Sequence, residues 1–198
     1  MTPEQQEAVL AIARGAIEDE LGVAAHEPRS DVELPSRFSG VFVTLKRGQQ
    51  LRGCMGTFQP LGGLAETVDR MARTSCCEDP RFMQDRIRPD ELDKIRIEVS
   101  VLEEAQRTTD PASLVVGQHG ILIRRGPRSG CFLPQVATER DWSAEEFLTQ
   151  CCVTKAGLAP DAWKDPETEV YLFGAEVIAE PPDPGSDHPT NRPSRRRP

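Results

Sequence analysis

The segment with the most chemical potential in this sequence is residues 51–56, LRGCMG, where an arginine and a cysteine stand two positions apart. Successive side chains of a β-strand point to opposite faces, so Arg52 and Cys54 are predicted to share a face, with Cα atoms roughly 6.5 Å apart. A guanidinium close to a thiol stabilises the thiolate, which is the nucleophilic form. The pattern therefore predicts a reactive cysteine with a cationic neighbour.

Two glycines, Gly53 and Gly56, interrupt a segment that otherwise has the character of a strand. Glycine weakens a strand interior and often marks a β-bulge or the close approach of another group. A bulge at this place can also direct backbone N–H groups at an anion. We therefore include Gly53 and Gly56, with Arg52, among the candidate ligand-binding residues.

Each of these residues also has a purely structural interpretation. A free cysteine is often a small buried apolar residue, so Cys54 can simply pack beneath a tight turn. Arg52 can form a surface salt bridge instead of contacting a thiolate or an anion. In that case the glycine-bounded hairpin is a docking surface, and the chain is a non-catalytic adaptor rather than an enzyme.

The best candidate for a general base is His119, which opens an apolar segment. A Cys–His pair is a known way to activate a thiol, and this role would require His119 to lie near Cys54. The alternative is a hydrogen-bonded core histidine. Gln135 and Glu139 are candidate polar groups near His119, although Glu139 can also anchor the loop before the next helix.

Three other charged residues have both a structural and a functional interpretation. Asp79 and Arg81 flank Pro80 just after a predicted helix, where they either pair with each other or line a cleft. We favour the structural pairing. Lys155 is either a site lysine or a cation that complements the dipole at the end of a helix.

The six cysteines do not indicate a metal site or a disulfide framework. Two adjacent pairs occur, but neither has the C-x-x-C spacing of zinc ligands, and the chain has only three histidines. Cys151 and Cys152 are predicted to be core residues of a helix. The sequence also lacks a phosphate-binding loop, a dinucleotide fingerprint and a serine elbow, so no cofactor is predicted.

The elements that position these residues are predicted from periodicity and capping signals. Helices are predicted from Thr2 to Gly22, over residues 62–77, and from Ser143 to about Lys155. Strands are predicted over residues 39–46, 51–58, 94–102, 119–124, 131–133 and 170–178. Strands in hairpins with helices between some of them predict an α+β fold with a mainly antiparallel sheet and flanking helices.

Composition and charge exclude several classes of protein. The formal net charge of −8 argues against nucleic-acid binding as the main function, even though the chain ends in an arginine cluster. There is no apolar run long enough to span a bilayer and no secretory signal, so no membrane association is predicted and the cytoplasm is the expected location. Residues 181–198 are rich in proline and lack core residues, and are predicted to be a disordered tail after a domain of residues 1–180.

Several separated blocks resemble the AMMECR1 family. Residues 51–56 resemble the family's LRGCIG signature, with Met55 at the usual isoleucine. The other similar blocks are DPRF at 79–82, GQHG at 117–120, LPQVATE at 133–139 followed by Trp142, and KAGL at 155–158 followed by Trp163. Their order and spacing extend the resemblance over about residues 4–180. Cys76 and Cys77 depart from the small or apolar residues usual before DPRF.

The resemblance implies an α+β domain with a larger and a smaller lobe. The family has no firmly established reaction, but microbial members occur beside or fused to a Memo-like protein related to extradiol dioxygenases, and with a radical SAM protein. The resemblance therefore implies a partner system rather than a substrate. The site residues remain those chosen from the sequence: Cys54 and His119 as catalytic candidates, with Arg52, Gly53, Gly56, Gln135 and Glu139 as ligand-binding candidates.

Overall fold

The structure is a computed structural model that describes residues 1–27, 31–60 and 62–181. The predicted tail therefore lies, apart from its first residue, outside the described residues. Helices and strands occupy most of the described chain, and their positions follow the predicted periodicity closely.

Four α-helices are present, and local sequence signals explain where they begin. They are α1 (Pro3–Glu20), α2 (Leu64–Cys77), α3 (Pro134–Glu139) and α4 (Ala144–Cys151). Thr2 and Ser143 cap α1 and α4 with complete capping boxes, as their sequences predict. After α4 the helix continues as a π-helical turn, Cys152–Ala156, which ends at Gly157 with a φ of +63°. The short helix α3 was not predicted.

Eight strands form two separate antiparallel sheets. The strands are β1 (Gly40–Arg47), β2 (Gln50–Thr57), β3 (Arg96–Leu102), β4 (Gln106–Thr108), β5 (Gly120–Arg125), β6 (Arg128–Phe132), β7 (Glu169–Phe173) and β8 (Ala175–Ala179). The first sheet has the order β2-β1-β3-β8, and the second has the order β4-β7-β5-β6. The predicted α+β class with antiparallel sheets is therefore confirmed.

The single strand predicted over residues 170–178 is wrong. The chain changes sheets at Gly174, so that β7 belongs to the second sheet and β8 to the first. The Gly174 backbone lies against the carboxylate of Glu103, and a Cβ at residue 174 would overlap that carboxylate. The chain passes from the first sheet to the second at Glu103, after β3, and returns at Gly174. The Glu103 N–H donates to the Gly174 carbonyl at 2.9 Å, so a hydrogen bond joins these two crossings.

The molecule has four layers. Helices α1 and α2 pack on one face of the first sheet, around buried residues such as Val43 and Val68. Helix α4 packs on the outer face of the second sheet, around Ile121, Ile123 and Phe147. The inner faces of the two sheets meet at a small apolar cluster centred on Leu102, Leu122 and Phe173, which we call the inter-sheet cluster.

Candidate functional site

The LRGCMG segment occupies β2, the edge strand of the first sheet, and contains a β-bulge. Cys54 pairs with Thr44 and Gly53 with Leu45, but the next pair is Leu51 with Lys46. Arg52 is therefore an extra residue with no partner on β1, and the alternation of side chains is interrupted there.

Because of the bulge, the predicted shared face of Arg52 and Cys54 is wrong. The Arg52 side chain is 4% exposed and lies on the α2 side of the sheet, where it bonds to Asp85 at 2.6 Å and Glu91 at 2.7 Å. Hydrogen bonding to Glu91, followed by that to Asp85, raises the pKa of Arg52, while burial opposes the rise. Arg52 therefore serves a buried ion-pair network. Its Nε is buried without a hydrogen-bond partner among the described residues.

Both glycines of the motif are required by close approaches, as predicted. A Cβ at residue 53 would overlap the carbonyl oxygen of Ser75 in α2, and a Cβ at residue 56 would overlap the Phe42 ring. The Ser75 hydroxyl donates to the Val43 carbonyl at 2.9 Å and accepts from the Met55 N–H at 3.0 Å. Helix α2 is thus in direct contact with the β1–β2 hairpin at the motif.

The Cys54 side chain lies on the opposite face, towards the second sheet. Its Sγ accepts a hydrogen bond from the Thr44 hydroxyl at 3.3 Å, and the residue is partly exposed. Phe42, two residues before Thr44 and on the same face of β1, packs against the inter-sheet cluster. The thiol therefore lies where the inner faces of the two sheets converge.

An ion pair from the 79–82 block covers the free edge of β2 at Cys54. The Asp79 carboxylate accepts the Cys54 N–H at 2.9 Å, and Arg81 donates to the Cys54 carbonyl at 3.0 Å. Arg81 also bonds to Asp79 through Nε at 2.9 Å and Nη2 at 2.6 Å. The predicted pairing of Asp79 with Arg81 is confirmed, and it also joins two separate sequence motifs.

The ion pair shifts the pKa of both of its members. Hydrogen bonding to Arg81 lowers the pKa of the Asp79 carboxyl, helped by the Cys54 N–H and opposed by burial. The Arg81 pKa is raised chiefly by Asp79, and the Cys54 thiol adds to the rise through charge and hydrogen bonding. The guanidinium that lies beside the thiol is therefore that of Arg81 and not that of Arg52.

A second cysteine, Cys131, lies on the side of the second sheet that faces this region. Cys131 pairs with Leu122 and packs against the inter-sheet cluster. Burial raises the pKa of Cys131 to about 11, Lys155 opposes the rise, and Cys54 adds to it. The Lys155 backbone lies against Gly130, and its Nζ lies 5.3 Å from the centre of the Phe132 ring.

The remaining cysteines are poor candidates for a reactive thiol. Cys76, Cys151 and Cys152 are buried, as predicted for the latter two. Burial is the main cause of a raised pKa at these three and at the half-buried Cys77. A neutral buried thiol is a weak nucleophile because the thiolate is the reacting form.

The described contacts do not bring His119 to Cys54. The His119 Nδ1 accepts the Val115 N–H at 3.0 Å, and the side chain lines a cavity of about 690 Å³ whose lining includes Glu103, Arg107 and Phe173 but not Cys54. This cavity lies beside the crossings between the two sheets. A joint catalytic role for His119 and Cys54 therefore gains no geometric support.

Gln135 and Glu139 both belong to α3. The Gln135 Oε1 is buried and has no hydrogen-bond partner within the described residues, whereas Glu139 is the exposed last residue of the helix. No described contact joins either residue to Cys54 or to His119. Their assignment as ligand-binding residues stays a prediction.

The described part of the chain shows neither a metal centre nor a membrane-spanning helix. No group of three or more His, Cys, Asp or Glu side chains there is arranged to hold a metal ion. None of its helices combines the length and the apolar character needed to cross a membrane.

Sequence reasoning missed one contributor to the site, Thr44, and undervalued two others, Cys131 and Arg81. Thr44 was missed because its position opposite Cys54 depends on the bulge at Arg52; counting from the turn at Gly48 alone would pair Thr44 with Gly53. Cys131 was interpreted as a packing residue, because the sequence does not show which strand edges of two different sheets converge. For Arg81 the structural pairing with Asp79 was favoured over a place in a cleft, although its position in a separate block resembling the family was a usable signal.

Fold and site together define an α+β protein with two antiparallel four-stranded sheets and a cysteine on an edge strand at their junction. A family model described as AMMECR1 matches residues 10–178. The chain belongs to the AMMECR1 family, which confirms the family predicted from the sequence.

Relatives and a solved structure agree with this assignment. A protein of Methanothermobacter thermautotrophicus is 41% identical over 189 residues, covering 91% of this chain and 96% of that protein. Protein MK0488 of Methanopyrus kandleri is 41% identical over 192 residues, covering 91% and 90%. The crystal structure of the uncharacterized protein PH0010 from Pyrococcus horikoshii matches with a TM-score of 0.80 and 38% identity, covering 91% of this chain and 93% of that one.

Proposed function

We propose that this protein is a cysteine-centred enzyme, or the reactive subunit of one, in which Cys54 is the reacting group. The observation that carries the proposal is the contact of Cys54 with the Asp79–Arg81 ion pair. The pair binds the N–H and the carbonyl of Cys54 and keeps a guanidinium beside a partly exposed thiol.

The surroundings of Cys54 suit a nucleophilic thiol. The Arg81 guanidinium stabilises a thiolate electrostatically, and the Thr44 hydroxyl donates a hydrogen bond to the sulfur. Backbone contacts on both sides of Cys54 hold the residue in place, so that little ordering is needed before reaction. In this proposal Arg81 takes the role that the sequence suggested for Arg52.

The proposal includes a partner system and a compartment. A Memo-like protein and a radical SAM protein are the proposed partners, and the support for them is the family resemblance. The cytoplasm is the proposed location because a reducing compartment keeps the thiol of Cys54 free to react.

The test is the rate at which each of the six cysteines is alkylated by neutral iodoacetamide, followed by peptide mass spectrometry on the folded protein. We expect Cys54 to react fastest. The R81Q variant should react more slowly at Cys54, because the thiolate loses its cationic neighbour. R86Q is the matched control, since it removes another exposed arginine of the same segment and should leave the Cys54 rate unchanged.

Two outcomes would count against the proposal. If Cys54 is alkylated only when the protein unfolds, the thiol is a packing group and the adaptor hypothesis takes over. The adaptor hypothesis predicts a partner complex that survives C54S, whereas the enzyme proposal predicts that C54S abolishes cellular function. A cell in which C54S supports normal function would contradict the enzyme proposal directly.

A further inference from the structure

The two edge strands of the first sheet differ in how their outer edges are covered. At one edge, the Asp79–Arg81 pair binds the outward N–H and carbonyl groups of Cys54 on β2. At the other edge lies β8, beyond which the described chain places no further strand. Proteins usually protect an open edge with charges, prolines or a covering element, because its free groups can pair with another chain.

Alternate residues of β8 direct their backbone groups away from the sheet. The Glu180 N–H donates to the Ile97 carbonyl at 3.0 Å, and the Glu103 N–H donates to the Gly174 carbonyl at 2.9 Å. These bonds assign the even-numbered residues of this segment to β3, because hydrogen-bonded pairs recur at every second residue of an antiparallel ladder. The outward groups, which we call the β8 edge, are therefore those of Ala175, Val177 and Ala179. Within residues 1–27, 31–60 and 62–181, no hydrogen bond to these groups is present.

The side chains along the β8 edge are small and apolar. Val177, at its centre, is 45% exposed. The two acidic residues of the segment lie on the α1 side of the sheet, where Gln6 binds Glu176 at 2.8 Å and Arg14 binds Glu180 at 2.5 Å. The β8 edge therefore has neither an exposed charge of its own nor a proline that would oppose pairing.

The β8 edge is complementary to itself. If β8 pairs antiparallel with the β8 of a second copy around Val177, that residue lies opposite Val177 of the second copy, and Ala175 lies opposite Ala179. All of these residues have free outward groups, so each opposed pair can exchange two hydrogen bonds. A two-fold axis brings the same surface of both copies together, and the two exposed valines meet at this axis.

The chain that follows β8 is a poor partner for this edge. Residues 182–198 lie outside the described structure, but the sequence after Glu180 contains no five consecutive residues free of proline. A strand from that segment as long as the five residues of β8 would therefore include proline, which has no N–H to donate. A second copy of the chain fits the β8 edge better than the chain's own continuation does.

We propose that two copies of this chain associate through the β8 edge and form one continuous antiparallel sheet of eight strands, with a two-fold axis at Val177. The interface is small, so the expected assembly is a transient dimer with a dissociation constant in the micromolar range. This inference does not depend on the role proposed for Cys54, because β2 lies at the opposite edge of the sheet.

The test is sedimentation velocity of the full chain over a series of protein concentrations. We expect the mass to rise from that of one chain towards that of two. V177K should weaken association by about fivefold or more, because it places like charges opposite each other at the axis. V177P should also weaken it, because it removes the outward N–H of residue 177 but none of the bonds to β3. V153K is the matched control, since Val153 is 44% exposed on the π-helical turn and should leave association unchanged.

Two further measurements identify the axis and the occupant. Mixing V177K with V177E should restore the dimer, because only an axis at this position places residue 177 opposite itself. Hydrogen–deuterium exchange at the amides of the β8 edge should slow as the wild-type concentration rises.

Three outcomes would overturn the inference. The first is a wild-type chain that stays monomeric at every concentration. The second is a dimer that is insensitive to both V177K and V177P, because it would use another surface. The third is protection of the edge amides that does not change with concentration, because the chain itself would then cover the edge. The concentration dependence of exchange needs no variant, so it decides the matter even if V177P does not fold.

Discussion

Side chains bind both outward backbone groups of Cys54, which lies on an edge strand. An exposed strand edge normally offers such groups to other chains, and proteins protect it with charges or by covering it. Here the Asp79–Arg81 pair takes the place of a neighbouring strand. One ion pair therefore protects the edge and places a cation beside the thiol.

Removing the charge of Asp79 should destabilise the folded protein. D79N should lower the free energy of unfolding by about 1–3 kcal/mol at neutral pH, because Asp79 is 3% exposed and its partners lose a charged acceptor. The measurement is urea denaturation at several pH values. D90N is the control, since it breaks an exposed ion pair with Arg88 and should cost less than about 1 kcal/mol.

The pH dependence of this difference follows from the lowered pKa of Asp79. A carboxyl whose pKa is lower in the folded state stabilises the fold at pH values above its unfolded pKa, which is about 3.9. That stabilisation disappears as the pH falls through the lowered folded pKa. The gap between wild type and D79N should therefore be greatest near neutral pH and shrink in acid. A gap that is constant with pH would contradict this account.

Sequence reasoning identified Cys54 but chose the wrong arginine for it. Alternation along a strand is a local rule, and it applies only while the register is continuous. The bulge at Arg52 depends on contacts with Ser75, Asp85 and Glu91, which are distant in sequence. Arg81 reaches the thiol through the edge of β2, and no periodicity in the sequence encodes that approach.

At the scale of elements, the contact between α2 and the β1–β2 hairpin depends on one hydroxyl. Ser75 is fully buried and bridges the Val43 carbonyl and the Met55 N–H. A buried donor and acceptor left unpaired together cost more than a single lost hydrogen bond. The helix is therefore bonded to the strands that carry the motif, as well as packed on them.

We expect S75A to destabilise the protein by about 2–4 kcal/mol, because it leaves both backbone groups without a partner. S113A is the control, since Ser113 is exposed and its hydroxyl only bonds to Asp110 in a surface turn. That variant should stay within about 0.5 kcal/mol of the wild type. Thermal and urea unfolding of both variants provide the measurement, and equal effects would show that the Ser75 bridge contributes little.

The elements that sequence analysis predicted best are those defined by local signals. Thr2 and Ser143 begin their helices at the predicted positions because capping depends on residues within one turn. The break at Gly174 and the short strand β4 were not predicted, because each depends on which sheet the strand joins. Alternating apolar residues mark a strand without specifying its partner.

At the scale of the whole molecule, the second sheet and its helices are inserted into the first sheet. The chain leaves the first sheet after β3 and returns to it at β8, through two adjacent crossings at Glu103 and Gly174. Between the sheets, Phe58 stacks edge-on against both Phe42 and Phe173, with ring centres 5.4 and 5.5 Å apart. These rings are the main apolar link between the two halves.

The F58A substitution should therefore lower the stability of both sheets. We expect a loss of about 2 kcal/mol, less than for a fully buried phenylalanine because Phe58 is partly exposed. Hydrogen–deuterium exchange should become faster in β1–β2 and in β5–β7 together. F38A is the matched control, because Phe38 packs only against the core under α1 and α2. If F58A affects exchange in one sheet alone, the aromatic link does not couple the halves.

The insertion also determines the order in which the fold can be completed during synthesis on the ribosome. Strand β3 is made long before β8, and its outer edge has no partner until residues 175–179 emerge. By then every strand of the second sheet has been made, so that half can close its own hydrogen bonds first. The last strand described then closes the first sheet, and the half that carries Cys54 is finished only after the half that was inserted into it.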